Sequence, residues 1–128
     1  MWTQLGSVRQ IVPPNVHREV RLLLDGDPMS NPVHILATTY AQEGKGEEVA
    51  RVIAAELETV RAKQGCLRYD LFREKRQPDV LVMQEVWATV DDLRAHGSSR
   101  QLADLGARLA DSVARETVVT VLVPIDGI

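Results

Sequence analysis

From Val33 onward the apolar residues change period repeatedly, and the order of those changes restricts the fold more than any other feature of the chain. Val33–Ala41 reads as a strand, and Gly44-Lys45-Gly46 punctuates it with a turn. Glu47–Lys63 carries Val49, Val52, Ile53, Leu57 and Val60 at helical spacing, with Gly65 as its stop signal. Leu67–Glu74 is strand-like, Arg76-Gln77-Pro78-Asp79 reads as a turn, and Val80–Trp87 forms a third strand. Thr89, followed by Asp91 and Asp92, suits a helix start. Gly97-Ser98-Ser99 interrupts that helix before Leu102, Leu105, Leu109 and Val113 resume the period, and Thr117–Val123 is a last strand ended by Pro124. Strand, helix, strand, strand, helix, strand is the split βαβ order, which predicts an α+β, ferredoxin-like βαββαβ domain with an antiparallel sheet.

A sheet with helices on one side and water on the other should alternate apolar and polar residues. Val80-Leu81-Val82-Met83 and Val118–Val123 are instead apolar on both faces. A second copy of the sheet is the economical cover, which predicts a two-fold homodimer with sheets packed face to face, a dimeric α+β barrel.

At 128 residues the chain is long enough for one domain with its own core. Residues 1–32 look unlike the rest: Pro13-Pro14 breaks regular structure, Val20–Leu24 suits a short strand, and Asp25–Pro32 is rich in turn residues. They are expected to be an N-terminal extension to a domain spanning 33–128, and Met29 would also serve as a start. A net charge of −3 offers no basic surface for a phosphate backbone, so nucleic acid is not expected as a partner. The single cysteine, Cys66, excludes an internal disulfide and suits a reducing, cytoplasmic setting; its simplest reading is a small buried hydrophobe. No apolar run approaches the ~18 residues of a membrane helix, and Arg9, Arg18, Glu19 and Arg21 argue against a secretory signal.

The residues that carry chemistry cluster around the second and third strands. If the loop between them has an odd number of residues, Tyr69, Leu71 and Arg73 share a face with Leu81, Met83, Glu85 and Trp87. A two-residue loop would set Asp70 opposite Glu85, which like charges disfavour. The first arrangement gathers a hydroxyl, a carboxylate and an indole near the helix that carries His96. Tyr69 and Trp87 serve equally as core aromatics. A carboxylate amid an apolar strand is costly unless partnered, so Glu85 is either bonded to Arg73 or a helix amide, or held as a catalytic base. His96, next to Gly97, either caps backbone carbonyls or moves a proton near neutral pH. His34, with Thr38 and Tyr40 on its face, points into the cleft or into the dimer core, and His17 lies in the leader. Gly44-Lys45-Gly46 has the wrong spacing for a phosphate loop, and neither a nucleotide signature nor a compact metal-ligand cluster is present, so no cofactor and no metal are expected.

Gly65-Cys66-Leu67-Arg68-Tyr69, Gln84-Glu85-Val86-Trp87 and Leu93-Arg94-Ala95-His96 together resemble the antibiotic biosynthesis monooxygenase pattern of Gly-Cys-x-x-Tyr, Glu-x-Trp and a helical His, over about Val33 to Pro124. That family includes cofactor-independent oxygenases of polycyclic phenols, haem-degrading enzymes and isomerases of small signalling molecules. Haem-degrading relatives use an Asn on the first strand and a His on the last helix, where this chain has Thr38 and Thr39 and, near the helical position, Leu105. Many relatives place a second His where Gln101 stands here. The resemblance implies a cofactor-independent monooxygenase that oxidises an electron-rich phenol, anthrone or quinol with dioxygen. It implies His96 as base or proton shuttle, Glu85 as its orienter, and Tyr69, Trp87, Thr38 and Met83 as substrate-binding residues. The alternatives are a non-catalytic small-molecule-binding dimer and an isomerase of a small metabolite.

Overall fold

The computed structural model describes residues 31–125; the expected extension, apart from Asn31 and Pro32, lies outside them, as does His17. Its elements follow the expected order: β1 (Val33–Tyr40), α1 (Gly46–Ala54), α2 (Leu57–Arg61), β2 (Cys66–Glu74), β3 (Gln77–Trp87), α3 (Val90–Gly97), α4 (Arg100–Leu109) and β4 (Val118–Leu122). The four strands form one antiparallel sheet in the order β2-β3-β1-β4, which is the ferredoxin-like arrangement.

The starts of α3 and α4 have local causes. The Thr89 hydroxyl accepts from the Asp92 amide at 3.0 Å and the Ser99 hydroxyl from the Leu102 amide at 3.2 Å, so α3 and α4 are separate helices with their own caps. The start of α1 is capped from a distance. Asp79 accepts from the Gly44 and Gly46 amides at 3.0 and 2.8 Å, and a Cβ at Gly46 would run into the Pro78 carbonyl. This close approach explains Gly46, while a φ of 82° explains Gly44.

Two expectations need correction. Glu47–Lys63 is not one helix: it breaks after Ala54, where the Glu56 amide turns back to the Ile53 carbonyl at 2.9 Å and the Glu56 carboxylate faces Arg108 of α4 at 2.9 Å. The turn after β2 is Lys75-Arg76 rather than Arg76–Asp79, and β3 begins at Gln77. The register shifts between Arg73 and Glu74, so Tyr69 still lies opposite Glu85 although the turn itself is short. Pro78, which has no amide to donate, falls in the irregular stretch.

Strand alternation then sorts the sheet into two faces. On the inner face Tyr69, Glu85, Ile35 and Val121 form one row, and Leu71, Met83, Ala37 and Val119 the next. Val49, Ile53, Val60, Val90, Leu93, Leu105 and Leu109 of the helical segments complete the core over this face. The outer face carries Phe72, Val82, Thr38 and Val118 in one row and Arg68, Val86, His34 and Leu122 in another. Phe72, Val118 and Leu122 are 50%, 46% and 40% exposed. Among the described residues no helix is long and apolar enough to cross a membrane.

Candidate functional site

Glu85 and Trp87 are two residues apart on β3 and therefore project to the same side. Antiparallel pairing sets Tyr69 of β2 directly beside Glu85, and α3 lays His96 over the group. The imidazole stacks on the Trp87 indole, with ring centroids 4.7 Å apart and planes 23° from parallel. Tyr69 meets both rings edge-on, at 5.5 Å from His96 and 6.4 Å from Trp87. None of Trp87, Tyr69, His96 and Glu85 is more than 6% exposed, so their polar atoms must find partners within the protein.

Glu85 takes its hydrogen bond from the Trp87 indole, Nε1 to Oε1 at 2.9 Å. This replaces the expected Arg73 pairing, since Arg73 lies two rows along β2 opposite Leu81 and is exposed. Burial pushes the Glu85 carboxyl up to about 7, while the indole bond and the Lys63 charge pull the other way. Burial, aided by the same lysine, lowers His96 to about 3, so its imidazole is neutral at physiological pH. Tyr69 is raised above the ordinary phenol value by burial and then by the Glu85 charge, and stays a neutral phenol.

Lys63 is the residue that the sequence did not reveal. Its Nζ lies 2.9 Å from His96 Nδ1, 3.1 Å from Ser99 Oγ and 2.7 Å from Gln101 Oε1. Gln101 Nε2 donates to Glu56 Oε1 at 2.8 Å, and Arg108 donates to Glu56 Oε2 at 2.9 Å. The hydrogen bond from Gln101, reinforced by Arg108, holds the Glu56 carboxyl below its ordinary value against a desolvation effect of opposite sign. Burial lowers Lys63 from the usual ammonium value. A lysine two residues before a helix-stopping glycine reads as a solvated helix-end charge, and its partners come 33 to 38 residues later. No spacing rule connects them.

The structure brings together Tyr69, Glu85, Trp87 and His96, and Met83 lies one row from Glu85 on the same face. Thr38 is not part of this group: it pairs with Val82 and Val118 on the outer face, together with His34 and Tyr40. The β1 register puts Ala37 and Thr39 on the inner side, so Thr38, which the resemblance implies as substrate-binding, lies away from Glu85. The partner of the His96 ring nitrogen is Lys63, which displaces the expected orienting role of Glu85. Cys66 is half-buried, and burial raises its thiol. Among the described residues no three His, Cys, Asp or Glu side chains gather closely enough to hold a metal ion.

The model of the family described as antibiotic biosynthesis monooxygenase matches residues 32–108, from the start of β1 to near the end of α4. The chain belongs to that family. A proposed monooxygenase of Mycobacterium tuberculosis, Rv0793, is 28% identical over 98 residues, covering 77% of this chain and 96% of the relative. The solved structure of Rv0793 superposes with a TM-score of 0.68 at 26% identity, over 75% of this chain and 97% of the other. PA3566 of Pseudomonas aeruginosa superposes with a TM-score of 0.69 at 24% identity, over 77% and 98% of the two chains. These likenesses carry the fold over about three quarters of the chain, and the family match of residues 32–108 includes Glu85 and His96.

Proposed function

We propose that this chain is a cofactor-independent monooxygenase that oxidises an electron-rich aromatic, of the phenol, anthrone or quinol type, with dioxygen. The observation that carries the reading is Glu85, a carboxyl sealed in the core beside Tyr69 and the Trp87 indole, where burial pushes it up to about 7. General bases work best when their pKa lies near the operating pH, and a carboxyl held there at the cost of burial is suited to that task. Glu85 takes the proton, and His96, neutral and weakly basic, serves as a hydrogen-bonding group toward the substrate. This exchanges the roles that the family resemblance implies for the two residues.

For an anthrone-type ring the chemistry closes as follows. Glu85 removes a benzylic proton, and the electron pair left behind spreads onto the ring oxygen. The carbanion passes one electron to dioxygen, the two radicals join through a new C–O bond, and the peroxide is protonated. Loss of the second benzylic proton with cleavage of the O–O bond yields the carbonyl and one water, so the substrate gives four electrons and dioxygen takes four. A dry site protects the peroxide from side reactions. Tyr69, Trp87 and Met83 offer the apolar wall for the ring. Because the stack is closed, admission of a ring requires α3 to move away from β3.

The reading includes a homodimer formed through the outer face and a cytoplasmic setting. The half-exposed Phe72, Val118 and Leu122 support the first, because monomers seldom leave such a patch uncovered; the lone Cys66 supports the second. Residues 33–128 are the catalytic domain in this reading and residues 1–32 an appendage. The test is turnover of a panel of dihydroxynaphthalenes and anthrones with and without air. Oxygen uptake matched to product, with no added flavin, haem or metal, is the expected result. Turnover that proceeds equally without oxygen would favour the isomerase instead.

A further inference from the structure

An ammonium group has three N–H donors and no lone pair, so every polar neighbour within reach must accept from it. Lys63 has three such neighbours, and two of them are oriented independently of it. The Ser99 hydroxyl donates its own proton to the His96 carbonyl at 2.8 Å, which leaves only oxygen lone pairs to face the lysine. Gln101 donates its amide nitrogen to Glu56, which turns the amide oxygen toward Lys63. Glu56 is in turn anchored by Arg108. The third N–H is left for His96 Nδ1, 2.9 Å away.

A nitrogen that accepts at Nδ1 obliges a neutral imidazole to carry its proton on Nε2. We propose that Lys63 is a positioning residue that fixes His96 as the Nε2–H tautomer, making the imidazole a hydrogen-bond donor to the oxygen on which negative charge develops in the substrate. The donor role rests on the function proposed above; the tautomer does not. The Trp87 ring covers one face of the imidazole, so it supplies no partner in the ring plane, and Lys63 engages Nδ1 there. As charge grows on a substrate oxygen at Nε2, the Lys63 ammonium behind Nδ1 strengthens that donor without a proton leaving the ring. A neutral donor of this kind lowers the barrier by being aimed in advance at the developing oxyanion.

The experiment is long-range proton–nitrogen NMR of the 15N-labelled full chain at neutral pH, with the His96 signals identified by their loss in His96→Gln. The expected spectrum shows a protonated Nε2 and a bare Nδ1 carrying the shift of a hydrogen-bond acceptor. In Lys63→Met the Nδ1 signal should move toward that of an unbonded lone pair, and Lys63→Arg, which keeps a donor, should restore it. A protonated Nδ1 in the unaltered protein would mean that Lys63 is a neutral amine accepting from the ring, and would overturn the proposal even if Lys63→Met failed to fold. An unmoved Nδ1 signal in a folded Lys63→Met protein would overturn it as well. The expected spectrum together with no oxygen uptake on any substrate would instead sink the monooxygenase reading and leave the tautomer assignment standing. On an active substrate, His96→Ala should lower kcat by about 10²–10³-fold, and Lys63→Met should lower kcat by less while changing KM little.

Discussion

The two faces of the sheet are made by the same strands and differ by one residue of register. On the inner face, Glu85 and His96 are buried and take hydrogen bonds from Trp87 and Lys63. On the outer face, Phe72, Val118 and Leu122 stand half-exposed. Burial on the inner side shifts Glu85 and His96 in opposite senses, toward a carboxyl that titrates at about 7 and an imidazole that does not charge until about 3. Apolar surface on the outer side instead favours association. In the reading proposed here, one face holds the chemistry and the other holds the assembly.

The sharpest way to break that contrast is Trp87→Ala, which removes a fully buried ring that both stacks on His96 and donates to Glu85. It should cost roughly 3–5 kcal/mol in denaturant unfolding, as large aromatic truncations in cores do. A loss below about 1 kcal/mol would mean that the cluster is loosely packed. Phe72→Ala on the outer face should cost far less in the isolated subunit. Phe72→Glu or Leu122→Arg should instead shift sedimentation from a dimer toward a single 14.2 kDa chain. A native protein that is already monomeric at micromolar concentration would remove the assembly role.

Much of this contrast was legible in the chain. Period-two alternation put Glu85 and Trp87 on one face, the unfavourable pairing of Asp70 with Glu85 brought Tyr69 to it, and the cap at Thr89 was visible as a residue type. The resemblance implied Thr38 as substrate-binding, whereas alternation left its face open between the cleft and the dimer core; only the pairing of β1 with β3 decides which set faces the helices. Lys63 stayed hidden for another reason. Its long stem lets the ammonium reach acceptors on the next helical segment, and a local reading stops at the helix end. The break at Glu56, which directs a carboxylate toward Gln101 and Arg108, leaves no Gly or Pro in the sequence to announce it.

The pH dependence of stability separates the two shifted groups by sign. Glu85 is raised, so its contribution is full below the unfolded carboxyl value and is lost as pH rises through about 7. Glu85→Gln should therefore gain stability relative to the unaltered protein on going from pH 5 to pH 8, by on the order of 3 kcal/mol at most. His96 is lowered, so its contribution is present above the unfolded imidazole value and fades as pH falls toward about 3. His96→Gln should flatten the acid side of the same thermal unfolding curve. Parallel curves for all three proteins would refute both shifts. The smallest effect belongs to Thr38→Val on the outer face, with stability within about 0.5 kcal/mol and turnover unchanged; a large fall in turnover would return Thr38 to the site.

The central claim is that ionisation of Glu85 governs the reaction, and oxygen uptake across pH on an anthrone or dihydroxynaphthalene substrate tests it directly. In the unaltered protein kcat/KM should climb as pH rises through about 7, the range in which Glu85 loses its proton. Glu85→Gln keeps an oxygen for the Trp87 indole but cannot accept the proton, and should lower uptake by roughly 10²–10⁴-fold at every pH. A Glu85→Gln protein that consumes oxygen at the native rate, with the same climb through neutral pH, would contradict the account.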